Sequence, residues 1–318
     1  MIIVSITTIP KRLNYLDRVL PILLNQTLKY DKLVINLDNN LTSDEYEAYD
    51  ELAERDSRIE VYKDCDPKWR SANKLLPTIQ RYPDAVVITM DDDLEYPLTC
   101  CEELYNKWKD NKDCIICQEI NPTIYRDGKL EYLNTLDIKL MQREFGKYLT
   151  HSCLFPPHVF EGTEVFDFDK MMKLTNGTHD ELWFWEQTTL KGVQVIGLDY
   201  TMSYGIDSTI QHQEGEYTLT DTNKIQAIID EYNRKFNEEY GYRIGRILSA
   251  KPIEFFVTRE NLQAHVGSLW HIKQLYGGFP NIIFWVDSSM LKSHVWYLST
   301  SLQMNGFTGN TRIWKLEG

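Results

Sequence analysis

Three consecutive aspartates, Asp91, Asp92 and Asp93, directly follow the apolar stretch VVITM at residues 86–90. That stretch is predicted to be a buried strand. Two unit charges about 4 Å apart repel by about 4 kcal/mol at an effective dielectric constant near 20, so the cluster is costly unless a cation lies among the carboxylates. If the chain stays extended, Asp91 and Asp93 point the same way and form a partial Mg²⁺ or Mn²⁺ site that substrate phosphates complete. The alternative is that the aspartates are solvated turn residues, one of which caps the following helix.

The elements that must position these carboxylates alternate between strands and helices over residues 1–120. Strands are predicted at about 2–6, 32–37, 59–62, 86–90 and 114–117, and helices at about 13–25, 43–55, 71–81 and 98–109. Thr42 and Glu45 form a predicted capping box at the start of the second helix. This alternation is typical of an α/β fold with a mainly parallel sheet covered by helices on both faces. Ligands bind at the carboxyl ends of such strands, where the three aspartates lie.

The remainder of the chain divides into an irregular part and a regular one. Residues 120–245 contain two predicted helices, at about 180–191 and 221–239, and a linker is predicted at 241–252. The segment that follows the linker has a β-α-β-α-β pattern. We therefore predict a main domain at 1–245 and a small accessory domain at 250–318.

Composition excludes several classes of protein. A net charge of −13 argues against a nucleic acid as the main partner, because phosphate binding needs clustered lysine and arginine. No apolar run is long enough for a membrane-spanning helix, so none is expected. Six cysteines in a chain of 318 residues indicate free thiols in a reducing compartment, so a cytoplasmic protein is expected. The isolated Cys114–Cys117 pair is interpreted as strand residues and not as a zinc site.

Four stretches around and beyond the aspartates resemble one enzyme family. They are SITTIPKRL at 5–13, SANKLLPTIQRYPDAVVITMDDDLEYP at 71–97, LFPPHVF at 154–160 and HDELWFW at 179–185. Their order and spacing resemble those of bacterial polysaccharide and lipopolysaccharide glycosyltransferases with the GT-A fold and a DxD motif. The resemblance covers about residues 5–190 and leaves the predicted accessory domain unassigned.

The resemblance implies a metal-dependent enzyme that uses a nucleotide-sugar donor, with a UDP-sugar favoured. The implied metal ligands are Asp91 and Asp93, with His212 as a candidate third ligand. The residues expected to contact the donor are Thr7, Pro10, Arg12, Lys74, Asp91 and Asp92. Lys74 and Arg12 would neutralise the diphosphate. For Lys74 the alternative is a solvated helix face, and Arg70 and Asn73 have weaker claims.

Sugar transfer with inversion needs a base that deprotonates the acceptor hydroxyl. The candidates are Asp180 and Glu181, with Asp180 favoured, because Glu181 also fits a capping box with Thr178. The Asp-Glu order departs from the two aspartates more usual in the family, which leaves the choice open. Inversion is expected, and retention of configuration remains an alternative.

Aromatic side chains surround the acidic pair and suggest a surface for a sugar ring. Trp183 and Trp185 are two residues apart on a predicted helix, so at most one of them is expected to contact a substrate. Pro156 and Pro157 are expected to stiffen the loop that presents a substrate-facing aromatic ring.

Two other functions compete with the leading one. A sugar-phosphate nucleotidyltransferase would carry a glycine-rich basic loop after its first strand, and TTIPKRL contains no glycine. A carbohydrate-binding protein without activity would not need an intact triple aspartate. The acceptor is expected to be a glycan or lipid-linked molecule of cell-surface polysaccharide synthesis, with at most peripheral contact at the inner face of the membrane.

Overall fold

The computed structural model describes most of the chain. The described residues are 1–121, 123–126, 129–132, 143–175, 180–198, 204–205, 222–240, 247, 253–276, 282–307 and 311–316. Among them, none of the helices has the length and apolar character needed to cross a membrane. All six cysteines are buried, and none of them forms a disulfide bond.

The first part of the chain alternates strands and helices as predicted. Its elements are β1 (Ile2–Thr7), α1 (Leu13–Leu24), β2 (Lys32–Asp38), α2 (Ser43–Ala53), β3 (Ile59–Cys65), α3 (Leu76–Arg81), β4 (Val86–Met90), β5 (Leu94–Glu95), α4 (Cys100–Lys109) and β6 (Ile115–Cys117). Short 3-10 helices at Pro10–Arg12 and Pro67–Lys74 precede α1 and α3. The predicted capping box is present, since Thr42 accepts a hydrogen bond from the Glu45 backbone and Glu45 accepts one from Thr42.

The middle of the chain contains more strands than the sequence predicts. Its elements are β7 (Ile120–Asn121), β8 (Thr123–Arg126), β9 (Lys129–Tyr132), β10 (Arg143–Glu144), β11 (Lys147–Tyr148), β12 (Ser152–Phe155), α5 (Phe168–Thr175), α6 (Asp180–Lys191), β13 (Val195–Gly197), β14 (Tyr204–Gly205) and α7 (Thr222–Tyr240). Several of these strands are too short for a periodic pattern to reveal them.

One eight-stranded sheet organises this part of the molecule, in the order β10-β13-β6-β12-β4-β1-β2-β3. Strand β12 runs antiparallel to both β4 and β6, and β10 runs antiparallel to β13, while the other pairs are parallel. Alternate residues of each strand enter separate cores on the two faces: Ile3 and Val87 join one, and Val4 and Ile88 the other. The predicted mainly parallel sheet between helices is therefore confirmed.

The predicted helix at 71–81 is confirmed only over its second half, and residues 71–75 do not belong to it. The chain instead forms the 3-10 helix Pro67–Lys74 and then α3. Pro77 lies in the first turn of α3, where its missing N–H leaves no hydrogen bond unmade; inside a longer helix it would break one. Arg70 adds a kink, with φ of 47°.

The C-terminal elements follow the predicted β-α-β-α-β order. They are β15 (Ile253–Val257), α8 (Leu262–Tyr276), β16 (Ile282–Val286), α9 (Lys292–Met304) and β17 (Thr311–Lys315). The three strands form a parallel sheet with β16 at its centre. Phe284 and Leu298 belong to a hydrophobic core within this unit. The domain boundaries at 245 and 250 stay a prediction, since residues 241–246 and 248–252 lie outside the described part of the chain.

Candidate functional site

Most of the predicted site residues lie at one edge of the large sheet. Because β1, β2 and β4 are parallel neighbours, their carboxyl ends lie side by side. Thr7 ends β1, Asp38 ends β2, and Asp91 follows β4. The Thr7 hydroxyl donates a hydrogen bond to the backbone oxygen of Asn36 at 2.9 Å, which ties the ends of β1 and β2 together.

Arg12 binds two of the three aspartates. Its Nη1 atom lies 2.8 Å from Asp92 Oδ1 and 3.3 Å from Asp93 Oδ2. Residues 92 and 93 form a turn, so the extended backbone assumed from the sequence is absent. Burial and then the charge of Asp91 raise the pKa of Asp93 to about 6. The cluster therefore still lacks part of the positive charge that would hold all three carboxylates ionised.

Lys74 binds the remaining aspartate from inside the protein. Its Nζ atom lies 2.6 Å from Asp91 Oδ1, and the residue is only 5% exposed. Burial alone would lower the pKa of Lys74, but Asp91 and then Asp180 outweigh burial and raise it. The solvated helix face considered from the sequence is therefore excluded. Lys74 is a buried ammonium group that binds Asp91 and also interacts electrostatically with Asp180.

The two acidic residues at the start of α6 have different surroundings. Asp180 Oδ2 accepts a hydrogen bond from the Ser71 hydroxyl at 3.1 Å. Glu181 Oε1 accepts one from the Thr150 backbone N–H at 3.2 Å, and Glu181 Oε2 lies 3.8 Å from Lys147 Nζ. Burial and then the charge of Glu181 raise the pKa of Asp180 to about 6. The raised pKa of Asp180 suits a group that accepts a proton, whereas Glu181 is hydrogen-bonded to the loop before β12. Thr178, the predicted capping partner of Glu181, lies outside the described residues.

Sequence reasoning missed His151. The antiparallel register pairs Ser152 with Met90, which places His151 opposite Asp91. Tyr96 joins the two backbones, because its hydroxyl accepts a hydrogen bond from Asp91 N at 2.9 Å and donates one to His151 O at 2.6 Å. No sequence signal marks His151, since its position depends on an antiparallel pairing between strands that are far apart along the chain.

Asp38 was also missed. It is half-buried at the end of β2, where its Oδ1 atom accepts a hydrogen bond from Asn73 Nδ2 at 3.0 Å. Burial raises its pKa, and this effect exceeds the opposing effect of the Asn73 hydrogen bond. An acidic residue directly after KLVINL is a signal of the same kind as the aspartates after VVITM, so the sequence contained the information needed to find it.

The aromatic residues of α6 belong to the core. Trp183 and Trp185 are 0% and 1% exposed, and their indole N–H groups donate to Val165 O and Phe145 O. Neither ring is open to a substrate. The expected role of Pro156 and Pro157 is wrong. Because β12 runs antiparallel to β4, these prolines follow Phe155 at the edge of the sheet where β4 begins, and Asp91 lies at the other edge, where β4 ends.

The carboxylates at this edge fit part of a divalent metal site. Asp92 Oδ2 is buried and has no hydrogen-bond partner among the described residues, and carboxylate oxygens suit Mg²⁺ or Mn²⁺. Within those residues, no group of three or more His, Cys, Asp or Glu side chains is placed to hold a metal ion by itself. His212, the predicted third ligand, lies outside them. The protein would therefore supply only some of the ligands.

Two solved structures are among those to which this chain is similar. S. aureus TarS, residues 1–349 in complex with UDP-GlcNAc, is 11% identical with a TM-score of 0.48, over 96% of this chain and 89% of that chain. A 4-diphosphocytidyl-2C-methyl-D-erythritol synthase is 14% identical with a TM-score of 0.36, over 72% of this chain and 98% of that chain. A comparison with curated proteins found no match.

A sequence model of one family matches the region that contains the triple aspartate and its basic partners. The family is described as glycosyl transferase family 2, and the match spans residues 5–163, which is half of the chain. It contains the end of β1, Arg12, Lys74 and the triple aspartate. With that match, the chain belongs to glycosyl transferase family 2 and is a glycosyltransferase.

Proposed function

We propose that this glycosyltransferase transfers a sugar from a nucleotide-sugar donor to a hydroxyl group of a glycan or lipid-linked acceptor, with a divalent metal and with inversion at the anomeric carbon. Cell-surface polysaccharide synthesis is the proposed setting. One observation carries the proposal: the buried Lys74 ammonium binds Asp91, a proposed metal ligand, at 2.6 Å and also interacts electrostatically with Asp180, the candidate base. A proposed donor-side carboxylate and the proposed acceptor-side carboxylate therefore both interact with the same buried ammonium group.

The donor diphosphate would lie over the carboxyl ends of β1 and β4. Asp91 and Asp93 would hold Mn²⁺ or Mg²⁺, whose positive charge would stabilise the departing diphosphate. Arg12 and Lys74 contribute fixed positive charge at the same edge. The nucleoside would extend over β1 and β2, near Thr7, Pro10 and Asp38. UDP-sugars are the first donors to test.

Asp180 would remove the proton from the acceptor hydroxyl. The acceptor oxygen forms a bond to the anomeric carbon while the bond from that carbon to the diphosphate oxygen breaks. The nucleoside diphosphate leaves with the electron pair of that bond, and the proton stays on Asp180. A pKa of about 6 lets Asp180 be ionised before transfer at neutral pH while remaining a better proton acceptor than an ordinary aspartate.

Calorimetric titration of UDP, GDP, CDP and CMP tests the donor side. Each nucleotide is added with Mn²⁺ and again with EDTA, to the wild type and to Asp93→Asn. Binding of one nucleotide that requires Mn²⁺ in the wild type and is weakened in the variant supports the proposal. Binding unaffected by EDTA would contradict the metal role of the aspartates, and binding of none of the four would contradict a nucleotide-sugar donor.

The acceptor side needs a turnover assay with the sugar of the nucleotide that binds. Release of nucleoside diphosphate, with water as the acceptor, measures turnover without a known acceptor. Release of pyrophosphate from a nucleoside triphosphate and a sugar phosphate would instead identify a nucleotidyltransferase. For an inverting enzyme, proton NMR of the first product should show the anomeric configuration opposite to that of the donor.

A further inference from the structure

One short segment touches three carboxylates that belong to different elements. We call Asp66–Leu75, which contains the 3-10 helix Pro67–Lys74, the bridging segment. Its Ser71 hydroxyl donates to Asp180 Oδ2 at 3.1 Å, Asn73 Nδ2 donates to Asp38 Oδ1 at 3.0 Å, and Lys74 Nζ donates to Asp91 Oδ1 at 2.6 Å. The segment thus joins the end of β2, the end of β4 and the start of α6.

The first half of the bridging segment is anchored by two contacts. Asp66 accepts a hydrogen bond from Lys68 N at 3.0 Å and caps its first turn. The Trp69 ring packs edge-on against Phe168 of α5, with ring centroids 4.9 Å apart. Arg70 has φ of 47° and ψ of −124°, a backbone conformation that costs free energy for a residue other than glycine. This kink lies between the anchored Trp69 and the three residues that contact carboxylates.

We propose that Ser71 is a positioning residue for Asp180, and that the bridging segment thereby couples the acceptor base to the metal-binding end of β4. The inference rests on the proposed function, since it takes Asp180 as the base. The Ser71 hydroxyl binds Asp180 Oδ2, and in this proposal Asp180 Oδ1 faces the acceptor hydroxyl. A displacement of the segment on the donor side, through Lys74 and Asp91, would therefore move the base as well.

The charges around Asp180 show what Ser71 adds. Burial raises the Asp180 pKa most, Glu181 and Asp91 raise it further, and Lys74 and the Ser71 hydrogen bond lower it. Removing the Ser71 hydroxyl should therefore raise the pKa of the base and move the acid limb of the rate profile to higher pH. Ser71 is exposed, so its truncation leaves no buried group without a partner on its own side chain.

The test compares Ser71→Ala, Ser71→Thr and Asp180→Asn by release of UDP from a UDP-sugar with water as acceptor, between pH 5 and 9. Ser57→Ala, at an exposed serine between α2 and β3, is the matched control. Ser71→Ala should lower kcat at neutral pH by about tenfold, the effect of one hydrogen bond to a charged group. Its acid limb should move to higher pH while the KM for the donor changes little. Ser71→Thr should restore both rate and profile, and Ser57→Ala should match the wild type.

Each other outcome identifies which statement fails. If Asp180→Asn is inactive but Ser71→Ala keeps the wild-type kcat and pH profile, Ser71 does not position the base and this inference alone is overturned. If Asp180→Asn is as active as the wild type, Asp180 is not the base, and both this inference and the proposed acceptor chemistry are overturned. A loss in Ser71→Ala with an unshifted profile and no rescue by Ser71→Thr would also overturn it.

Discussion

Lys74 Nζ lies 2.6 Å from Asp91 Oδ1 in a position where Lys74 is almost fully buried. Their charges stabilise each other, since the pKa of Lys74 is raised and that of Asp91 is lowered despite the opposing effect of burial on both. Breaking a buried pair by removing one partner leaves the other charge uncompensated.

The first prediction is that Lys74→Met and Asp91→Asn each lower the free energy of unfolding, by about 3 kcal/mol, whereas the double variant loses less than the sum. Urea unfolding of the four proteins at pH 7.5 measures the coupling. Lys32→Met, which removes a partly exposed partner of Glu60, serves as the control and should cost under about 1 kcal/mol. Additive losses in the double variant would show that the ion pair does not stabilise the fold.

The second prediction is that Asp93→Asn stabilises the ligand-free protein at neutral pH. The pKa of Asp93 is raised to about 6 from an ordinary 3.8, so folding favours its protonated form. The stabilising effect of that proton is complete below about pH 4 and is lost as pH rises through about 6. The variant should therefore unfold at a higher temperature than the wild type at pH 7.5, with the difference shrinking towards pH 4. A variant that is less stable than the wild type at pH 7.5 would contradict the raised pKa.

The third prediction concerns the identity of the base. Turnover of the wild type should rise with pH through about 6 and then level, because Asp180 must be ionised to accept a proton. Asp180→Asn should lose at least about a hundredfold in kcat, within the range of general-base effects. Glu181→Gln should retain most of the wild-type kcat, since the Glu181 carboxylate binds the Thr150 backbone N–H and Lys147 and is not the proposed base. The reverse ranking of the two variants would assign the base to Glu181.

The fourth prediction is that Arg12→Met binds Mn²⁺ alone more tightly than the wild type does. The Arg12 guanidinium lies 2.8 Å from Asp92 and 3.3 Å from Asp93, so it neutralises the carboxylates that would attract a metal. Its removal should strengthen Mn²⁺ binding by about tenfold, well within the Coulomb energy of charges this close. The same variant should bind the nucleoside diphosphate more weakly. Arg18→Met, which removes an exposed partner of Glu95, is the control. Unchanged Mn²⁺ affinity in Arg12→Met would show that Arg12 does not affect metal binding by these carboxylates.

The sequence determined the fold class and predicted which residues form the proposed donor side. Continuous apolar strands alternating with helices predict a mainly parallel sheet, because a strand buried on both faces needs apolar residues at every position. Asp91–Asp93 were found because charged residues directly after such a strand must lie at its carboxyl end. Asp180 and Glu181 were predicted as candidate bases from the resemblance of HDELWFW to the family's acidic motif, with Asp180 favoured, and the choice stayed open because both side chains suit a helix start.

The tertiary structure decided what depends on contacts between distant parts of the chain. The antiparallel direction of β12 brings His151 to Asp91 and moves Pro156 to the opposite edge. After the kink at Arg70, Ser71 contacts Asp180, 109 residues further along the chain, and Lys74 contacts Asp91, 17 residues further along. Hydrophobic periodicity is a local property, so it reports which residues are buried but not which distant group they meet.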